Sequence, residues 1–362
     1  MGSLTTQQLR RVVTLAARAP SGDNTQPWTF SWDGQILTVI FHPGKARHVL
    51  DAGLSGAKIS LGCVIESLSI AASELAFGID CQYLQLSEDS PGGAARVTFF
   101  KDGRKPDRLL DAIERRNTDR RLFQKGAMPS EELKEVWKQF EGRDDVGVHC
   151  AESIDPGLFE YLVAAESLVT KHPKIFPDTL PWIRVSEEEI RRTEDGMPWR
   201  GVGVNAFQYP FIRFVRAVPS AFPWVSRAGM GKSYGARVKQ LLRSSAGLFC
   251  LSARNKAELI LMDTGRLAMR LWLRLTQLGY GVQPLTLSSL LLYNAKIGVL
   301  DADSMKLFGK RYAEGESILR KAFSIPTDNL PVWLFRTGRS SPLPARWFTL
   351  RRSLENSLQI TS

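Results

Sequence analysis

Two short strings concentrate polar chemistry in this 362-residue sequence. The first is Ala19-Pro20-Ser21-Gly22-Asp23-Asn24-Thr25-Gln26-Pro27-Trp28. Ser21, Asn24, Thr25 and Gln26 offer hydroxyl and amide groups that both donate and accept hydrogen bonds. A heteroaromatic ring with alternating carbonyls and ring nitrogens needs partners of that kind. Pro20 and Pro27 stiffen the segment and lower the entropy cost of presenting those groups. The same residues would equally build an Asx or Ser/Thr turn leading into a hairpin. The second string is Glu114-Arg115-Arg116-Asn117-Thr118-Asp119-Arg120-Arg121-Leu122-Phe123. Its arginines and the Thr118 hydroxyl could clamp a phosphate through forked guanidinium bonds. Interleaved acids leave open a solvated charged face.

The elements that must hold these strings show an internal echo, the first thing to seek in a long chain. Gly62–Gly78 (GCVIESLSIAASELAFG) and Gly265–Gly281 (GRLAMRLWLRLTQLGYG) share length, terminal glycines and two leucine positions, Leu68/Leu271 and Leu75/Leu278. Each reads as a long apolar helix closed by a glycine C-cap, with Phe77 or Tyr280 just before that glycine. Val97–Arg104 (VTFFKDGR) resembles Val332–Arg339 (VWLFRTGR) in the same order. Both read as strands ending in a basic residue and a glycine turn. Two echoes in one order favour a duplicated unit, whose halves would pack as the subunits of a symmetric dimer do. Around them we expect a helix over 5–18, a strand over 27–41, helices over 107–115, 130–139 and 236–244, and a strand over 246–252. Ser130 would cap its helix.

Composition bounds the class. Hydrophobic residues make up 43% and charged residues 23%, as in a folded globular chain. Cys63, Cys81, Cys150 and Cys250 form no Cys-x-x-Cys pair, so reduced thiols and a cytoplasmic location are expected. No signal-peptide pattern or uninterrupted apolar span marks a transmembrane segment. The net charge is +11, and the stretch from Gly196 to Ala257 holds ten Lys/Arg and no acid. Such a field attracts anions: phosphates, an acidic partner, nucleic acid or an anionic membrane surface. Within it Phe207–Val225 reads as a buried or ligand-covering segment. The aromatics from Trp199 to Tyr234 could stack on a planar substrate, so Gly196–Arg243 reads as a lid and specificity element.

Several familiar motifs fail. Gly229-Met-Gly-Lys-Ser233 lacks the first Walker glycine, and Gly201-Val-Gly203 follows no strand. His42, His48, His149 and His172 have no metal-ligand spacing, so no metal is expected. His-Glu-x-x-His is absent.

Together the two strings resemble the nitroreductase superfamily. There an Arg-x-Ser-x-Arg/Lys motif grips the phosphate of flavin mononucleotide (FMN), and a Pro-Ser-Ser-x-Asn-x-Gln-Pro-Trp loop meets the flavin from the partner subunit. Pro20–Trp28 is similar to that loop, and Arg116-Asn117-Thr118-Asp119-Arg120 to the phosphate motif with Thr for Ser. Their order is reversed, as expected if the loop belongs to a first half and the arginines open a second. That arrangement, with Arg-Arg-x-Thr-Asp-Arg-Arg-x-Phe at 115–123, resembles the Acg-type subfamily. The resemblance implies an α+β fold of three-layer αβα type, with two fused halves forming an intramolecular pseudo-dimer. The halves would be 1–106 and 107–362, the second carrying a lid-like insertion at about 155–245. It implies FMN contacts from Pro20, Ser21, Gly22, Asn24 and Gln26 and from Arg115, Arg116, Thr118 and Arg120. Further contacts would come from Gln283, Pro284, Leu285 and Thr286 after the second long helix. A C-terminal cation would hold the phosphate, Arg346 first and Arg339 second. The glutamate–glycine pair that some members have near the flavin is missing here.

The implied activity is hydride transfer through flavin N5 to or from a small aromatic or conjugated molecule, anionic or carrier-bound, with NAD(P)H as electron donor. No catalytic side chain is required. The alternative is a protein that sequesters FMN with little turnover. A nucleic-acid-binding module is the outlying reading, and nucleic acid is not the expected partner. One FMN site per chain and a monomer are expected.

Overall fold

The computed structural model describes residues 4–137, 140, 146–254 and 258–361. Helices of two turns or more are numbered here, with one-turn helices named by residues. Helix α1 (Thr6–Ala16) starts at a capping box in which Thr5 and Gln8 bond reciprocally, and it buries Leu9, Val12, Val13 and Ala16. Strands β1 (Trp28–Trp32) and β2 (Ile36–Phe41) follow as an antiparallel hairpin. The single strand expected over 27–41 is therefore broken. Asp33 Oδ1 accepts the N–H groups of Gln35 and Ile36, and Gly34 takes φ +94°. An Asp-Gly pair supplies both the side-chain bond and the positive φ that a tight turn requires.

Helix α2 (Ser55–Ser73) leads to β3 (Phe77–Tyr83) and β4 (Gly92–Lys101). After the one-turn helix Ala112–Arg115, where a longer one was expected, come α3 (Ser130–Trp137) and β5 (Val146–Ala151). Ser130 is the first helical residue rather than a cap, and residues 138 and 139 of that expected helix lie outside the described residues. The insertion holds α4 (Pro156–Glu166), the short paired strands β6 (Ile183–Arg184) and β7 (Met197–Pro198) with α5 (Glu187–Thr193) between them, then α6 (Tyr209–Ala217) and α7 (Gly231–Arg243). The chain continues through β8 (Gly247–Ala253), α8 (Glu258–Gln277), β9 (Tyr280–Pro284), α9 (Thr286–Ile297), α10 (Ala302–Phe323), β10 (Leu330–Arg339) and β11 (Leu358–Ile360).

Besides the β6–β7 pair, two larger sheets form among the described residues, with orders β11-β1-β2-β4-β3 and β5-β8-β10-β9. Apart from β11, the two orders are the same: two strands, a long helix, then two strands that pair in reverse order. All neighbours within these four-strand sets are antiparallel. Helices α2 and α8 pack against each other at Gly62 and Gly265. A Cβ on Gly62 would lie 1.9 Å from the Met262 carbonyl oxygen and 2.9 Å from the Gly265 Cα. One on Gly265 would lie 2.0 Å from the Ile59 carbonyl oxygen and 2.9 Å from the Gly62 Cα. The contact is reciprocal, and only hydrogen fits at either position.

The glycines expected to cap these helices do something else. The residues at positive φ are Ala76 (+62°) and Gly279 (+80°), and Phe77 and Tyr280 then open strands that contain Gly78 and Gly281. The strand echo is also shifted. Gly103 makes the expected turn at φ +72°, whereas Gly338 lies inside β10 opposite Gly281. Pairing of Phe77 with Lys101 and of Tyr280 with Arg339 makes Arg339, not Arg336, the counterpart of Lys101.

The helix pair lies between the sheets. Phe249, Leu251 and Ala253 of β8 join Leu37, Val39 and Phe41 of β2 in the core around α2 and α8. The alternate residues Leu248 and Cys250 face a second core built on α4, α9 and α10. The β5–β8–β10–β9 sheet is thus covered by helices on both faces, whereas β2 alternates buried and half-buried residues. The expected three-layer arrangement describes the second sheet only. Helix α2 is long and apolar enough to cross a membrane, but 89% of its apolar window is buried inside this fold. A small separate core within the insertion contains Leu180, Ile183, Ile212, Val215 and Phe222.

Candidate functional site

The Pro20–Trp28 loop follows α1 and is conformationally unusual. Asp23, Asn24 and Gln26 all take positive φ (49°, 55° and 49°) without being glycine. Such strain persists only where surrounding structure over-determines it, and it concentrates at functional loops. Here the C-terminal segment supplies the restraint. Strand β11 runs parallel to β1, Phe30 opposite Leu358, and lays Arg351 and Arg352 across the loop. Arg352 donates to the carbonyls of Thr25 (2.8 Å) and Gln26 (2.6 Å), and its N–H donates to Gln26 Oε1. Arg351 Nη1 donates to Asn24 Oδ1 at 2.7 Å.

Other amide bonds in the loop also go to the protein. Asn24 Nδ2 donates to the carbonyls of Gly196 and Leu350, both at 3.0 Å, and Gln26 Nε2 to that of Glu194 at 2.9 Å. Ser21 Oγ accepts the Gln26 N–H. Pro20 is buried and Gly22 exposed, with no atom within 4 Å of where a Cβ would stand on Gly22. Burial raises the Asp23 carboxyl above its ordinary range, opposed by His48 and Arg120 nearby.

The arginine string divides. Arg115 turns outward and pairs with Asp111 at 2.6 Å on the surface. Arg116 turns inward, 3% exposed, with its guanidinium 4.7 Å from the Trp272 ring centroid and Nη2 donating to the Arg18 carbonyl. Thr118 bridges to Val282 at the edge of β9, which holds the segment against the second sheet. Asp119 binds Arg121 (2.8 Å) and Ser340 (2.6 Å), so that pair is structural. Arg120 is half-buried and donates to the Gly201 carbonyl and the Met197 sulfur.

Arg116 has two cationic neighbours that sequence reasoning missed, Arg18 and Arg351. Arg351 Nη2 donates to the same Arg18 carbonyl as Arg116 does. The Nε atoms of Arg18, Arg116 and Arg351 are all buried and lack a hydrogen-bond partner among the described residues. So does the Asn117 amide nitrogen. Burial pushes Arg116 down to about 10, and Arg351 lies well below its ordinary value through burial and repulsion from Arg116 and Arg18. These are signs of buried cations with too few acceptors. Arg346 sits exposed in the turn Ala345–Trp347, outside this cluster. Arg339 is bound to Glu132 at 2.5 Å and lies over Tyr280. The Arg-Arg pair at 351–352 was visible in sequence, but its position depends on β11 joining β1.

Gln283 and Pro284 end β9, and Leu285 and Thr286 lead into α9. Gln283 Oε1 accepts from Arg336 Nε at 2.7 Å. Arg336 is fully buried, lies 4.1 Å from the Phe123 ring centroid, and burial pushes it down to about 9. Behind this turn Glu166 accepts the Ser288 N–H (2.9 Å) and hydroxyl (2.6 Å). Burial pushes its carboxyl up to about 7. A groove of about 510 Å³ lies elsewhere, between α5 and α6, lined in part by Glu189, Arg192 and Arg213.

Acceptor-rich, donor-free chemistry suits the Arg18–Arg116–Arg351 cluster: a phosphate or carboxylate would accept from its unpaired Nε–H groups and offset the repulsion among the three cations. No family model matches the sequence, and no curated protein does. Solved structures are similar in shape. A protein from Anabaena variabilis assigned to the nitroreductases aligns over 94% of this chain and 90% of its own, at 9% identity and a TM-score of 0.48. The FMN and NADPH-dependent nitroreductase NfnB from Sphigopyxis sp. aligns over 70% of this chain and 99% of its own, at 11% identity and a TM-score of 0.40. The FMN-dependent nitroreductase NfnB from Mycobacterium smegmatis, in complex with NADPH, aligns over 70% and 100%, at 14% identity and a TM-score of 0.36.

Proposed function

We propose that this chain binds FMN at one composite site and acts as an FMN-dependent oxidoreductase, with two nitroreductase-like halves fused in one polypeptide. The observation that carries the reading is the convergence of Arg18, Arg116 and Arg351, their Nε atoms unpartnered, beside the Pro20–Trp28 loop. Three remote segments bring cations to one place: Arg116 lies on the string that resembles the family's phosphate motif, Arg18 immediately precedes the loop, and Arg351 comes from the C-terminal segment. The matching strand orders and the reciprocal Gly62/Gly265 contact support the fused-half arrangement.

The phosphate end fits the residues present. Arg18, Arg116 and Arg351 would hold the phosphate, and Asn117 has an amide donor to add. Bound FMN would supply hydride and electron transfer, with NAD(P)H as donor and a small conjugated molecule as the oxidised or reduced partner. Arg120 would keep a positive charge between the loop and residues 197–201, offset by Asp23. Gln283, anchored by Arg336, would present the end of β9 in a fixed orientation.

The ring end favours a second reading, FMN sequestration with little turnover. The Asn24 and Gln26 amides are bonded to Gly196, Leu350 and Glu194, so the loop is closed by the protein itself. The purified chain should show a visible flavin spectrum, and its loss in Arg116→Ala or Arg351→Ala would be the supporting result. Removing one such charge-assisted contact costs about 1.5–3 kcal/mol, roughly ten- to hundredfold in affinity. A colourless chain with no FMN affinity overturns the proposal. Anaerobic bleaching by NADH or NADPH favours turnover; a flavin spectrum that neither bleaches favours sequestration.

A further inference from the structure

The acid-free stretch within Gly196–Ala257 was read as a lid, but the structure divides it. Residues 196–201 lie on the loop and on Arg120. Residues 207–232 divide into an inner set, with Ile212, Val215 and Phe222 buried, and an outer set open to solvent. On α6, Pro210, Phe214 and Ala217 are exposed at positions i, i+4 and i+7, while Ile212 and Val215 are buried on the opposite side. Phe207, three residues before Pro210, and Val218, directly after the helix, extend that exposed apolar surface. Phe207 is 96% exposed, Phe214 51% and Val218 42%. In the following turn, Phe222 is buried against Phe176 with ring centroids 4.9 Å apart, while Trp224 projects outward, 74% exposed.

Large apolar side chains this exposed mark an interaction surface. Exposed cations accompany them: Arg213, Arg227 and Lys232 pair with no carboxylate among the described residues. Arg213 shares the α5–α6 groove with exposed Glu188 and with Glu189, which is held by Arg184 and Arg216. Exposed aromatics interleaved with cations that pair with no carboxylate among the described residues match the boundary between acyl chains and anionic headgroups. A second copy of the chain would bring the same cations face to face, which disfavours self-association there.

We infer that the Phe207–Lys232 face docks on a bilayer surface bearing anionic headgroups. The inference is independent of the flavin reading, since it uses none of the residues placed at that site. It is tested by sedimenting the full chain with phosphatidylcholine vesicles and with phosphatidylcholine/phosphatidylglycerol vesicles. The expected result is roughly tenfold or greater preference for the anionic vesicles, weakened by salt. A Phe207→Ser/Trp224→Ser double variant should lose roughly tenfold in that partition with an unchanged thermal midpoint, because both side chains are exposed. Charge reversal at Arg213, Arg227 and Lys232 should abolish the preference for anionic lipid. Failure to sediment with either vesicle, or equal partition of the double variant and the parent, overturns the inference. So does a surface that ignores vesicles but binds a single-stranded oligonucleotide, or self-associates, through these same residues.

Discussion

Arg346 and Arg351 are five residues apart, and their surroundings differ in kind. Arg346 stands in an exposed turn; Arg351 is half-buried, with its Nε buried, beside two other cations, and reaches Asn24. Arg346→Ala should therefore leave FMN affinity within twofold or so, while Arg351→Ala lowers it roughly ten- to hundredfold, as titration by flavin fluorescence would show. Glu166 supplies a pH-dependent prediction. Its folded carboxyl is raised to about 7 by burial, above its ordinary 4.5. Between those values the unfolded chain releases the proton that the folded chain keeps, so stability falls as pH rises across that window and levels off above it. Glu166→Gln should flatten this slope, removing a dependence of about 3 kcal/mol, measurable as denaturant midpoints against pH.

At the scale of elements, the α2/α8 contact is the least forgiving packing in the fold. A methyl group at Gly62 or Gly265 would overlap a backbone carbonyl on the opposite helix. Either Gly→Ala change should destabilise by about 3 kcal/mol or more, while Gly22→Ala, with open space around it, serves as the mild control in the same melts. The helix echo was legible because close packing of the two helices leaves a glycine at Gly62 and Gly265, and a second glycine recurs at the same distance in the strand that follows each helix. The helix ends were not, since Ala76 adopts the left-handed conformation in one copy and Gly279 in the other. A non-glycine residue can hold positive φ when the chain around it supplies bonds, as the N–H groups of Asp102 and Gly103 do to the Ala76 carbonyl.

For the whole molecule, the C-terminal segment closes the arrangement by joining β11 to the edge of the first sheet. Deleting residues 348–362 should free the 20–28 loop, seen as faster proteolytic cleavage there together with loss of bound flavin. On the proposed reading the two halves provide each other's partner surface, so sedimentation in the absence of lipid should report a monomer; a stable dimer would count against that reading.

The sequence by itself marked the Pro20–Trp28 loop, the arginine string and the paired long helices, because each rests on local chemistry or regular spacing. It also marked the acid-free stretch, because charge is read directly from residue types. Tertiary structure alone decided which arginines meet. Arg18, Arg116 and Arg351 come from three places in the chain, and Arg351 joins Arg116 on the Arg18 carbonyl only because β11 returns to β1. It also decided which aromatics of the insertion are core and which are surface. Phe222 and Trp224 are two residues apart, and the packing of one against Phe176 is what turns the other outward.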